Sequence, residues 1–156
     1  MRKQIIERSG ATLCPPSNWL DVEVLATVEL TSEDAAYPIE SALRQDGAAG
    51  WRAGMPGRQI IRLVFDAPLT IQRIYLNFME PVNERTQEYV LRWSPDSGQS
   101  FHEIVRQQWN FNPAGAVTET EDYQVQLSGV TMLELDINPD ISGRQVMASI
   151  DKFYIA

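Results

Sequence analysis

Beyond Gln59 the apolar residues of this 156-residue chain recur at every second position, and a period of two admits strands and little else. Ile61, Leu63 and Phe65 alternate with Ile60, Arg62 and Val64. Ile74, Leu76 and Phe78 alternate with Arg73, Tyr75 and Asn77, and Tyr89, Leu91 and Trp93 with Glu88, Val90 and Arg92. Successive side chains of a strand leave opposite faces, so each run predicts a strand with one buried face. Strands are predicted over 59–65, 71–78, 88–94, 100–107, 122–127, 132–137 and 148–155. Pro95-Asp-Ser-Gly98 is a type I turn followed by a glycine, which predicts a hairpin between 88–94 and 100–107. Upstream, Val22, Val24, Ala26, Val28 and Leu30 share one parity and predict a strand over 19–30. The stretch 31–55 carries turn residues, with room for a short helical turn at 39–44. A parallel sheet would need crossover helices of roughly ten residues or more, and no gap after Gln59 supplies one. The expected fold class is therefore all-β, an antiparallel β-sandwich of the jelly-roll type. The chain reads as a single domain, with residues 1–18 as an N-terminal extension open to reading as an extra strand or a dimer arm.

Charge and residue counts narrow the function. Thirteen Lys and Arg stand against 21 Asp and Glu, a net charge of -8, so no broad attraction to nucleic acid or anionic lipid is expected. No apolar run approaches the roughly 20 residues of a membrane-spanning helix, and Met1–Arg8 has no apolar signal-peptide core. One cysteine, Cys14, excludes an internal disulfide and a multi-thiolate metal site; one histidine, His102, excludes a multi-His site. No G-x-S-x-G nucleophile elbow is present, and Gly54-Met-Pro-Gly57 is too short for a phosphate loop. The expectation is a cytoplasmic, non-enzymatic binding domain without metal or cofactor.

Five short motifs stand in an order that resembles the discoidin, or coagulation factor 5/8 type C, family of the galactose-binding-like superfamily. Ser41-Ala-Leu, Asp46-Gly47 and Trp51 resemble its A-x-D-G-x-x-x-x-W opening, with two extra residues before the Asp-Gly. Gln59-Ile-Ile-Arg-Leu-Val-Phe65 and Ile71-Gln-Arg-Ile-Tyr-Leu76 resemble two of its strands. Tyr89-Val-Leu-Arg-Trp-Ser-Pro-Asp-Ser-Gly-Gln-Ser-Phe101 resembles its Y-x-I-x-Y-S-x-D-G-x-x-W hairpin, and Ala148-Ser-Ile-Asp-Lys-Phe-Tyr-Ile155 its closing strand. The similarity covers residues 19–156. It implies a jelly roll whose loops at one end bind sugars, phospholipid head groups or proteins, usually without catalysis. Many members hold a structural calcium near the Asp-Gly loop, helped by a carboxylate of the closing strand. Lys152 falls at that position here, which implies that its ammonium replaces the ion and tethers the Asp46 loop; a slip of one residue would put Asp151 there and restore calcium. The disulfide that joins the ends of many secreted members cannot form with one cysteine.

Candidate ligand contacts come from two stretches and one arginine. In Arg106-Gln-Gln-Trp-Asn-Phe-Asn-Pro113, Trp109 flanked by Gln108 and Asn110 suits a sugar, with ring stacking beside paired amide bonds; the other reading has Trp109 plugging the end of the sandwich. In the expected loop 80–87, Asn83, Glu84, Arg85 and Gln87 either converge on hydroxyls or form a solvated loop with a surface ion pair. Arg52, with Arg58 and Arg62, forms a small anion patch or balances nearby acids. Trp51 reads as a core anchor or a sugar platform, Trp19 and Trp93 as core, and Glu119, Glu121 and Asp122 as a solvated strand entry. The partner expected is a carbohydrate or another small polar ligand. The alternative is an intracellular protein–protein interaction module, since the fold also resembles the cytosolic discoidin-like domains of DNA-repair scaffolds and ubiquitin-ligase subunits.

Overall fold

The computed structural model describes Met1, residues 18–46 and residues 49–156. The N-terminal extension apart from Met1 and Asn18, with Cys14, lies outside the described residues, as does Gly47. In order, the elements are α1 (Val22–Leu25), β1 (Ala26–Leu30), α2 (Glu40–Leu43), β2 (Trp51–Pro56), β3 (Gln59–Met79), β4 (Arg85–Ser94), β5 (His102–Phe111), β6 (Thr118–Asn138), β7 (Met147–Ile150) and β8 (Lys152–Ile155). Neighbouring strands run β1-β3-β6-β4-β5, with β8 also on β3 and β2 paired with β7; every pair is antiparallel.

The alternating pattern lands where the period requires. Gln59, Ile61, Leu63 and Phe65 are buried, and the residues between them half-buried. The merging of strands is the main departure from expectation. Segments 59–65 and 71–78 are one 21-residue strand, and 122–127 and 132–137 belong to a second of the same length. Their ladder runs from Gln59 opposite Ile137 to Val64 opposite Met132, shifts register around Leu69 and Ile71, and resumes from Arg73 opposite Gln124 to Met79 opposite Thr118. Irregular pairing of this kind bends strands. The two halves of the ladder thereby serve two layers, and the inner faces of those layers share one core. Phe78 of one layer stacks on Tyr89 of the other at 5.1 Å, and the Tyr89 and Tyr123 hydroxyls bond across the gap. The jelly-roll sandwich read from the sequence is the fold observed.

Three smaller expectations are corrected. The strand drawn over 19–30 is only Ala26–Leu30; the preceding turn is helical, which buries Val22 and leaves Val24 71% exposed. The closing strand breaks at Asp151, where its pairing passes from β2 to β3. Trp19 is half-buried on an outer face, tilted against Tyr154 and Tyr75 at 5.5 and 6.0 Å. The expected hairpin does form between β4 and β5, with Gly98 at φ +88° and Ile104 left over between the pairs Arg92–Glu103 and Leu91–Val105 as a bulge. The helical turn at 39–44 is α2, and Trp51, 1% exposed, is a core anchor whose indole N–H donates to the Ser32 carbonyl at 3.3 Å.

Gly50 is what lets the Trp51 strand meet the break at Asp151. At φ +71°, a Cβ placed there would lie 2.7 Å from Asp151 Cα and 2.8 Å from the Ile150 carbonyl oxygen, both backbone atoms. Gly57, at φ +91°, has nothing within 4 Å of the same position. Gly50→Ala is expected to lower unfolding free energy by about 2 kcal/mol or more, combining strain with a backbone clash. Gly57→Ala carries the conformational cost alone, about 1 kcal/mol. Urea denaturation midpoints of the two variants test this ordering.

Candidate functional site

At one end of the sandwich, β3 stops at Met79 and β4 starts at Arg85, and the loop between them is held from beneath. Arg85 falls on the same parity as Tyr89 and Leu91, so its side chain points inward. Its Nε donates to Glu80 Oε1 at 2.8 Å, and its Nη1 to the Pro139 carbonyl at 2.8 Å and to Gln87 Oε1 at 3.1 Å. The guanidinium also lies 4.8 Å from the centre of the Phe111 ring. One buried cation thus joins the 80–84 loop, β4 and the 139–146 loop. The Glu80 amide adds a bond to the Val117 carbonyl at 2.8 Å, and the Ile141 amide one to Thr86 at 2.9 Å.

Above this base lies an open cleft of about 450 Å³. Met79, Pro81, Val82 and Asn83 form one wall, Gln145, Met147 and Ser149 the other, and Arg52 of β2 closes one side. Arg52 is prearranged: its guanidinium lies 4.2 Å over the Tyr37 ring, and its backbone bonds both to Tyr37 and to Asp34. Among the described residues, the side chains of Arg52, Asn83, Gln145 and Ser149 make no hydrogen bond or ion pair, so their bonding capacity is unused.

The expected site residues therefore divide. Arg52 and Asn83 line the cleft, and Glu84 is exposed beside it. Arg85 and Gln87 were expected among the ligand contacts, but they are 1% and 0% exposed and belong to the buried support. Nor is 106–111 a loop: it is β5, whose alternation sends Gln108 and Asn110 to the outer face and Trp109 inward. Gln108 donates to Glu88 at 2.8 Å and Asn110 accepts from Thr86 at 3.1 Å, while Trp109 packs half-buried against the core. These three residues neither converge with one another nor reach the cleft. Arg58 and Arg62 are paired to Asp136 and Glu134, apart from Arg52. Sequence reasoning missed Ser149, which enters the site through the pairing of β7 with β2, and Gln145, from the loop that leads into β7.

The expected Lys152 tether is also corrected. Lys152 sits opposite Asn77 and forms no ion pair with Asp46; the side chain that faces the Gly50 turn is Asp151, whose carboxyl is pushed up by burial. Among the described residues no cluster of three His, Cys, Asp or Glu side chains is placed to hold a metal ion.

Glu119 reverses the reading of its segment as a solvated strand entry. It is 1% exposed, within reach of Gln87, and its second carboxylate oxygen has no partner among the described residues. Burial, with the neighbouring Glu121 carboxylate, pushes its pKa up to about 8, so the folded domain holds this proton more tightly than the unfolded chain. The resulting stabilisation is complete below the ordinary glutamate value near 4.5, declines as pH rises and is exhausted above about 8. Thermal midpoints measured from pH 5 to 9 are expected to fall with rising pH in the native protein. Glu119→Gln, which keeps a neutral side chain throughout, is expected to flatten that slope and to be the more stable form at pH 9.

Solved structures share this fold over most of their length. A family 32 carbohydrate-binding module from C. perfringens, in complex with galactose, aligns with TM-score 0.63 and 12% identity over 88% of this chain and 96% of that one. A pectin-binding carbohydrate-binding module aligns with TM-score 0.61 and 16% identity over 84% and 89%. A chitosan-binding module of a chitosanase/glucanase from Paenibacillus sp. IK-5 aligns with TM-score 0.59 and 17% identity over 88% and 98%. No family model and no curated protein matches the sequence. At these identities the likeness shows the fold alone, an antiparallel β-sandwich.

Proposed function

We propose that this domain is a non-catalytic carbohydrate-binding module that takes its ligand in the cleft between residues 79–83 and 145–149. The observation that carries the reading is the set of four uncommitted polar side chains, Arg52, Asn83, Gln145 and Ser149, around an open cleft whose other lining residues are apolar apart from Glu80. Sugars present hydroxyls at their edges and C–H groups on their faces. Amide, hydroxyl and guanidinium groups match the first; the side chains of Met79, Val82 and Met147 match the second. Support also comes from the solved modules of the same fold, whose alignments span nearly their whole length. The order of its motifs supports kinship with discoidin-type domains, which share the galactose-binding-like fold. An open site that buries little of its ligand binds weakly, so millimolar to micromolar dissociation constants are expected.

A glycan microarray followed by calorimetry tests the proposal. Arg52→Ala and Asn83→Ala are each expected to weaken binding about tenfold, by loss of hydrogen bonds to hydroxyls. Gln108→Ala, on the outer face of β5, is expected to bind as the native protein does. An array with no retained glycan would overturn the reading.

A further inference from the structure

Arg52 differs from every other described arginine. Eight of the nine are paired to an Asp or Glu carboxylate; Arg52 has an aromatic ring beneath it and no described carboxylate within ion-pair distance. In a chain with 21 acidic residues against 13 basic ones, an arginine without a paired carboxylate is conspicuous, and this one lines the open cleft of about 450 Å³. We infer that the ligand of this cleft is a glycan carrying an isolated carboxylate, a uronate or a sialate, which the Arg52 guanidinium holds. The inference rests on the carbohydrate-binding reading and specifies the class of sugar.

The charges around the cleft favour such a ligand. Glu80 is the only acid among the lining residues, and its carboxylate is tied to the buried Arg85 at 2.8 Å, so it does not oppose an incoming anion. Among the described residues, Arg52 is the only cation that lines the cleft. A single planar guanidinium offers two parallel N–H groups that match the two oxygens of one carboxylate, whereas a phosphate dianion is usually held by several donors or cations. The seat of the guanidinium 4.2 Å over the Tyr37 ring reduces the freedom lost on binding. The net charge of -8 repels a densely charged polyanion, so the carboxylate belongs on an otherwise neutral chain. The groove lined by Arg58, Glu88, Arg92, Arg106 and Asp136 shows the contrast. It holds Arg58, Arg92 and Arg106, yet Asp136, Glu134 and Glu88 already neutralise all three.

The test is an array that prints sialyllactose and glucuronate-capped xylo-oligosaccharides, each beside its methyl ester and its neutral parent. The ester keeps shape and acceptor oxygens and loses only the charge. Native protein is expected to bind the acid of one source about tenfold better than its ester, and the arm that responds identifies that source. Arg52→Gln is expected to remove the preference and Arg52→Lys to retain part of it, with circular dichroism checking that both variants fold. Equal retention of acids and esters by the native protein would overturn the inference while leaving the carbohydrate reading intact. A preference that survives in Arg52→Gln would also overturn it. Retention of no glycan of any kind would overturn both.

Discussion

The pairing of β3 with β6 decides where everything else can go. Each strand is 21 residues long, and together they cross from one layer to the other without interruption of the chain. The bend near Leu69 and Val130 makes one ladder supply two sheets, so the faces that meet inside are fixed relative to each other by covalent continuity as well as by packing. Met79 and Thr118 finish side by side, which brings the 80–84 loop to Val117 and sets the edge of the cleft. β8 lies along the same stretch of β3, from Asn77 to Ile74, so the wall formed by β7 is anchored to the same ladder.

Arg85 carries that order from the core to the rim. Bringing a guanidinium out of water is costly, and that cost is offset by its pairing with Glu80 and by the Nη1 bonds to Gln87 and the Pro139 carbonyl, while Nη2 has no hydrogen-bond partner among the described residues. Removing one partner would strand a buried charge. The strut therefore contributes less to net stability than to position: it makes two loops and a strand share one reference point, and it neutralises the one carboxylate that lines the cleft. Shape and charge at the rim are consequently set by a residue buried beneath it.

Much of the fold was legible in the sequence because alternation reports burial directly. Ile61, Leu63, Tyr89 and Leu91 all face the core as their parity requires. The continuity of β3 was not legible, since Asp66-Ala-Pro-Leu-Thr70 reads as a connection: Pro68 lacks a donor, and the strand bends there with shifted register. Val22 and Val24 gave a false strand because a single helical turn is too short to show its own period. The candidate site was half legible. Arg85 and Gln87 read as ligand contacts on the strength of residue type, although their parity with Tyr89 already placed them inward. Trp109 was left between two readings, and the burial of its indole favours packing. Gln145 and Ser149 carried no signal, because Ser149 is placed by the pairing of β7 with β2 and Gln145 by the loop that enters β7, neither of which local pattern encodes.

The bulge at Ile104 has a consequence for the behaviour of the domain in concentrated solution. Among the described residues β5 is the outermost strand of its layer, a row of ten residues with one side of its backbone unpaired, and such a row is a template for any extended segment that drifts past. The extra residue interrupts the even spacing of its amide and carbonyl groups, and it brings Arg106 and Glu103 to one face as an ion pair at 2.9 Å. A visiting strand would meet a broken hydrogen-bond rhythm and have to strip water from two charges. Those are the features by which natural sheets discourage edge-to-edge polymerisation, and they guard the long border that this jelly roll leaves open.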